Sequence, residues 1–241
     1  MSITTGGRLP LNILLLDTAT NVEIVALQYN GTIVDKTTQT QNSHSVTLFD
    51  TIDSACKELN TTIHSIQCIG VGIGPGSFTG IRIAVTTARM LAQILQVPLV
   101  GIPTQLLFAS AIVHSNAHCI VAFDAKKGRV FAARYHVTHN SMPQEILAPG
   151  DYTIEQLFSV QCNHPVIAVG DGSVKYQENM IQLCNTIQIV PDFIPKADGM
   201  IRLVESLYME NPANYTDYRK VLPYYSRKSD AEVMKELKEK R

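Results

Sequence analysis

Residues 70–90 read GVGIGPGSFTGIRIAVTTARM, with five glycines between Gly70 and Gly80. The run from Ile66 to Ile73 is apolar enough for a strand buried on both faces. Beyond it Ile81, Ala84, Val85, Ala88, Leu91, Ala92 and Leu95 recur at helical spacing. The stretch therefore predicts a strand that turns through Gly74–Thr79 into a helix from Gly80 to Gln96, with Ser77 or Thr79 as N-cap. Such a turn has two uses. Free N–H groups and the helix dipole bind anions at a helix start, and glycines also let a strand-to-helix turn pack closely with no ligand. The specific nucleotide signatures are missing. No two of these glycines are five apart and no lysine follows, which excludes a Walker A loop, and every GxGxxG frame has Pro75, Ser77 or Thr79 in third place. Ser77 directly follows Gly76, so the GxSxG nucleophile elbow is absent too.

Upstream, Asn12–Leu16 is a continuous apolar strand ending at Asp17, and strands Val22–Leu27 and Thr32–Thr38 flank the hairpin signal Asn30-Gly31. A helix over residues 44–59 follows, with Ser43 or Ser45 as cap. Downstream lie a strand at Pro98–Gly101 and a helix at Thr104–Val113, after which HSNAH breaks the pattern. Cys119–Ala125 (CIVAFDA) then repeats the apolar strand reaching an aspartate, and Val130–Val137 is its hairpin partner. The second half restarts the first. It continues as a loop over 139–151, a helix at Ile154–Phe158, strands at Val166–Val169 and Ile187–Val190, and a helix at Ala197–Met209. The division expected is a disordered lead (1–10), an N-terminal lobe (11–111), a C-terminal lobe (112–228) and a charged tail (229–241). Hairpins followed by alternating helix and strand, twice, give an α/β chain with two mixed sheets.

With 45% hydrophobic and 17% charged residues, the 241-residue chain is not a disordered one. No apolar run approaches the ~18 residues of a membrane span, and the N-terminus lacks a signal-peptide core, so a cytoplasmic protein without membrane contact is expected. A net charge of −1 leaves no global footprint for nucleic acid, which restricts any such contact to a local or shared surface. The five cysteines (56, 68, 119, 162, 184) form no CxxC pair and read as small buried hydrophobes. His114 and His118 have i, i+4 spacing, but Ser115-Asn116 between them favours a solvated loop over a metal site.

Asp17 and Asp124 each close an apolar strand. Carboxylates placed so in two halves of a duplicated chain can hold magnesium between phosphates, with Thr18, Gly76 and Ser77 as further nucleotide or anion contacts. They can equally be turn-forming residues. Arg82 and Arg89, with Lys126, Lys127 and Arg129, offer a modest phosphate-facing surface or ordinary solvated charge.

The segments ILLLDTAT, HSVTLFDTID, IGVGIGPGSFTGIRIAVTTARMLAQILQVPLVGIPT, VAFDAKKGRVFAARY, VGDG and LPYYSRK, in this order, resemble the TsaB (YeaZ) family. That family is the accessory subunit in making threonylcarbamoyladenosine in tRNA. The resemblance implies the actin-like ATPase (ASKHA) fold, two ribonuclease-H-like lobes with mixed sheets and flanking helices. It also implies a non-catalytic subunit. Aligned with the catalytic relative (TsaD), Thr104 and Phe108 fall where that protein has its two metal-binding histidines. Ala19 stands where actin-like ATPases have a phosphate-loop glycine. No catalytic residue, metal or cofactor is therefore expected in this chain, ATP and metal being held by its partners.

Those partners are a TsaD-type catalytic relative, a TsaE-type ATPase, tRNA within the complex only, and a second copy when the chain is alone. The reaction served would move the threonylcarbamoyl group from threonylcarbamoyl-adenylate to the adenosine beside the anticodon of tRNAs reading A-starting codons. The resemblance places the partner surface on the first two long helices, at Val46, Phe49, Ile52, Ile81, Val85, Ala88 and Arg89. The competing reading is an ATP-dependent enzyme of the actin-like group with Asp17 and Asp124 around a magnesium nucleotide.

Overall fold

The computed structural model describes residues 9–39, 48–112, 116–139, 141–159 and 164–227. Residues 1–8 of the lead, the charged tail, Val46, His114, Cys162 and the start of the first helix lie outside these residues.

Two sheets repeat one topology. In the first, β1 (Ile13–Asp17) pairs antiparallel with β2 (Val22–Tyr29), β2 with β3 (Thr32–Asp35), and β1 runs parallel to β5 (Cys68–Gly72), which runs parallel to β6 (Leu99–Ile102). A short β4 (Thr38–Gln39) also pairs with β2. In the second, β7 (Ala117–Lys126), β8 (Arg129–Val137) and β9 (Gln144–Thr153) form an antiparallel meander, and β10 (Val166–Val169) and β11 (Ile187–Val190) continue it in parallel from β7. The strand orders β3-β2-β1-β5-β6 and β9-β8-β7-β10-β11 are the same. This is the duplicated, two-lobed architecture that the restart at Cys119 predicts.

The side-chain period of two sorts each sheet into its layers. Leu14 and Leu16 of β1 face α1 (Leu48–Glu58) and α2 (Phe78–Leu95). Ile13 and Leu15 face the opposite way, into a core shared with α3 (Thr104–Ser110), α7 (Ala197–Glu210) and the inner face of the second sheet. The outer face of that second sheet is covered by α4 (Ile154–Leu157) and α6 (Gln177–Leu183). A short α5 (Asp171–Lys175) lies against β7.

Several expectations need correction. Residues 144–153 form a strand, not a loop. It is the edge of its sheet, where Pro149 costs no ladder hydrogen bond inside the sheet. The third helix stops at Ser110, and α5 and α6 lack a sequence-level counterpart. α7 lies against β1 and α3 although its residues fall in the C-terminal lobe by number. His118 is no loop residue. It sits buried on β7, its Nδ1 2.7 Å from the Nη2 of the fully buried Arg134, with the His136 and His164 rings 5.6 and 4.9 Å away. Burial first, then Arg134, His164 and His136, push His118 down to about 4. Cys56, Cys68 and Cys119 are buried, and Cys68 is pushed up to about 12 by burial and then by Glu205.

Candidate functional site: the cleft between the lobes

The strand-to-helix turn forms, but α2 begins at Phe78, two residues before the expected Gly80, so that Ser77 and not Thr79 is the cap. Gly74 takes a left-handed φ of 97°, and Ser77 caps α2 by accepting the Gly80 N–H at 3.3 Å. What the turn packs on decides its use. The Ser77 N–H donates to the Ala19 carbonyl at 2.7 Å, and the Thr18 hydroxyl donates to the Gly80 carbonyl at 2.6 Å. A Cβ at Gly76 or Gly80 would overlap the Ala19 or Thr18 carbonyl. The glycines thus admit the chain's own β1–β2 turn where a phosphate loop would leave room for phosphate.

Asp17 is tied into the same packing. Only 1% exposed, its carboxyl accepts the Ala19 N–H at 2.6 Å and the Thr104 hydroxyl at 2.7 Å, and a Cβ on Gly72 would overlap it. Thr104 in turn accepts the Gly74 N–H at 3.2 Å. Phe108 is buried edge-on against Phe123, with ring centroids 4.9 Å apart. Of the proposed anion contacts, Asp17 and Thr18 are therefore buried structural groups and do not open on the cleft, whereas Gly76, Ser77 and Asp124 line it.

The cleft has a volume of about 580 Å³. Its first-lobe wall is Ala19–Asn21 and Pro75–Phe78, and its second-lobe wall is Phe123–Lys126, Phe131 and Asp171. The segment Tyr224–Arg227 straps across both. Tyr224 donates its N–H to Ile73 at 2.8 Å and its hydroxyl to Pro149 at 2.9 Å. Tyr225 stacks on Phe78 at 4.4 Å, and its hydroxyl accepts from Arg82 Nε at 2.9 Å. Arg227 donates to Ala125 at 2.7 Å. In the sequence the motif LPYYSRK contributes only to the family resemblance and carries no site role, because nothing local marks its partners some 75 to 150 residues away.

Asp124 meets Lys175 Nζ at 2.7 Å and Lys126 Nζ at 2.9 Å. Burial acts to raise its pKa, but the hydrogen bonds and charge from Lys175 and Lys126 outweigh it and hold the carboxyl well below the usual range. A carboxylate saturated by two ammonium groups is a poor ligand for a magnesium ion. Among the described residues, no group of three or more His, Cys, Asp or Glu is arranged to hold a metal ion.

The partner-surface residues divide as well. Ile52, Ile81, Val85 and Ala88 are buried, clamping α1 and α2 to the first sheet, so they are corrected from surface to core. One apolar stripe per helix is all the sheet needs, and these residues are that stripe. Phe49 remains 51% exposed and Arg89 partly so. Two residues missed in the sequence, Met90 (41% exposed) and Ile94 (63%), stand four apart on the outer side of α2. Their spacing against the core stripe would have revealed them.

Comparison with known proteins agrees with this geometry. A family model described as "TsaD: tRNA N6-adenosine threonylcarbamoyltransferase" matches residues 19–178. The protein named "tRNA threonylcarbamoyladenosine biosynthesis protein TsaB" of Bacillus subtilis is 23% identical, over 92% of this chain and 97% of its own. Its namesake in Haemophilus influenzae is 29% identical over 83% and 87%. That of Escherichia coli is 29% identical over 58% of this chain and 63% of its own. A solved structure described as "YeaZ from Pseudomonas aeruginosa" superposes with a TM-score of 0.76 at 21% identity, covering 89% of this chain and 99% of that one. No described helix is long and apolar enough to cross a membrane. The chain belongs to the tRNA N6-adenosine threonylcarbamoyltransferase family and, within it, to the TsaB (YeaZ) group.

Proposed function

We propose that this chain is the non-catalytic partner of a TsaD-type enzyme in forming threonylcarbamoyladenosine in tRNA, acting by binding and stabilising that metal-bearing relative. The observation that carries the reading is the Asp17–Thr104 hydrogen bond. It spends the strand-end carboxyl of the first lobe on internal structure, at the position where the resemblance puts a metal ligand in the catalytic relative. The exposed apolar side chains Phe49, Met90 and Ile94 on α1 and α2 supply a docking face of the kind that partner contacts use. A second copy of the chain would use the same face when the relative is absent. The TsaE-type ATPase and tRNA would join the assembled complex, with ATP and metal held by the partners.

Co-purification with the catalytic relative tests this. Phe49→Glu and Ile94→Glu are expected to abolish the complex while leaving the melting temperature of the isolated chain unchanged. Tight binding of magnesium ATP by the isolated chain, lost in Asp17→Ala, would overturn the reading in favour of an ATP-dependent enzyme.

A further inference from the structure

The rim of the cleft combines two features that the accessory reading leaves unused. One is aromatic: Phe78 and Tyr225 stack at 4.4 Å, Arg82 lies 3.9 Å over the Phe78 ring, and Tyr224 and Tyr225 remain 40% and 37% exposed. The other is cationic. Lys126 and Lys127 stand exposed at the β7–β8 turn, Lys126 and Lys175 share the single carboxylate of Asp124, and Arg227 is anchored on Ala125, 5.1 Å over the Phe131 ring. Together with Arg82 these cations face only Asp124 and Asp171 among the cleft-lining residues.

The lysines occupy backbone that suits them badly. Lys126 and Lys127 have φ of 65° and 55°, in the left-handed region where asparagine or glycine is relaxed. Their ammonium groups are presented at a conformational cost, a pattern that clusters at binding sites.

We propose that this rim binds single-stranded RNA, with an unpaired base stacking at the Phe78–Tyr225 pair and its flanking phosphates held by Lys126, Lys127 and Arg227. A polymer fits better than a free nucleotide because the interior has no phosphate cradle. Gly76 and Gly80 are filled by the β1–β2 turn, so phosphates are met only by cations on the outside. Aromatic platforms edged with lysine and arginine are the general solution for unpaired nucleic acid. The inference deepens the function proposed above by giving the accessory chain its own hold on the RNA substrate.

The test is fluorescence anisotropy at low salt with a 17-nucleotide stem-loop RNA, a fully paired RNA duplex as control, and ATP as competitor. The triple variant Lys126→Ala/Lys127→Ala/Arg227→Ala is expected to bind the stem-loop at least tenfold more weakly, with a log–log salt slope shallower by about 2. Tyr225→Leu is expected to lose roughly tenfold for the stem-loop and nothing for the duplex. Lys126→Ala/Lys127→Ala alone, both on exposed side chains, repeats the test without touching the strap. Stem-loop affinity unchanged in these variants, equal affinity of the wild type for duplex and stem-loop, or one-for-one displacement of RNA by ATP would each overturn the proposal. A parallel pull-down with the catalytic relative separates the two readings. A chain that binds RNA but fails to capture the relative sinks only the accessory role, and capture of the relative by a chain that ignores RNA sinks only this one.

Discussion

Asp17 and Asp124 reach equivalent places in two copies of one topology, yet their surroundings differ in kind. Asp17 is enclosed by uncharged donors, a backbone N–H and the Thr104 hydroxyl, with Gly72 kept bare to make room. Asp124 lies at the lip of the cleft, between two lysines that are themselves largely in water. The first carboxyl organises the interior of its lobe, and the second sets the charge on a rim. Duplication supplied two identical positions, and the neighbours that arrived from elsewhere in the chain gave them different work.

The contrast is sharpest at Gly72. Gly72→Ala drives a methyl group into the Asp17 carboxyl, and we expect a loss of about 3 kcal/mol or more in denaturant unfolding. Adding Asp17→Ala should recover part of that loss; if the double variant is as unstable as the sum of both singles, the two groups do not share a site. Next in size, Asp17→Ala alone strands the Thr104 hydroxyl and the Ala19 N–H and should cost about 2–3 kcal/mol. Asp124→Ala, whose partners are solvated, should cost no more than about 1 kcal/mol. Equal losses would erase the distinction.

How much of this was legible beforehand depends on the range of the interactions. The strand-end aspartates, the capped helix at Ser77 and the restart at Cys119 are local patterns, and the sequence shows them. The fate of Asp17 depends on Thr104, 87 residues later, and no periodicity reports that pairing. The edge strand β9 is hidden because Pro149 and Gly150 carry turn chemistry that only an edge position tolerates. The resemblance puts Ile81, Val85 and Ala88 on a partner face, and helical spacing cannot correct it, because it identifies an apolar stripe without saying what covers it. The first sheet covers this one, leaving Met90 and Ile94 outside.

Acid separates the second lobe's two titrating sites. His118 takes up its proton less readily in the folded state, near 4 against 6.5 in the open chain. The unfolded state therefore binds more protons in that window, and stability should fall as pH drops from about 6.5 to 4. His118→Asn should flatten this part of the curve. Asp124 is depressed when folded, so its contribution is complete above the ordinary carboxylate value of 3.8 and fades only below it. A wild-type stability profile flat from pH 7 to 4 would remove His118 from the account. The smallest effect is expected at Lys126→Ala, within about 0.5 kcal/mol, since Lys175 keeps Asp124 paired.

The position of α7 bears on how the molecule is made. One face of the first sheet, complete in sequence by Ile102, is roofed by a helix that begins at Ala197. While the chain emerges from the ribosome, that face waits through the synthesis of the entire second sheet before its cover arrives. An early-terminated product therefore exposes a layer of isoleucine and valine to whatever is nearby, and a holdase has a defined interval in which it is needed.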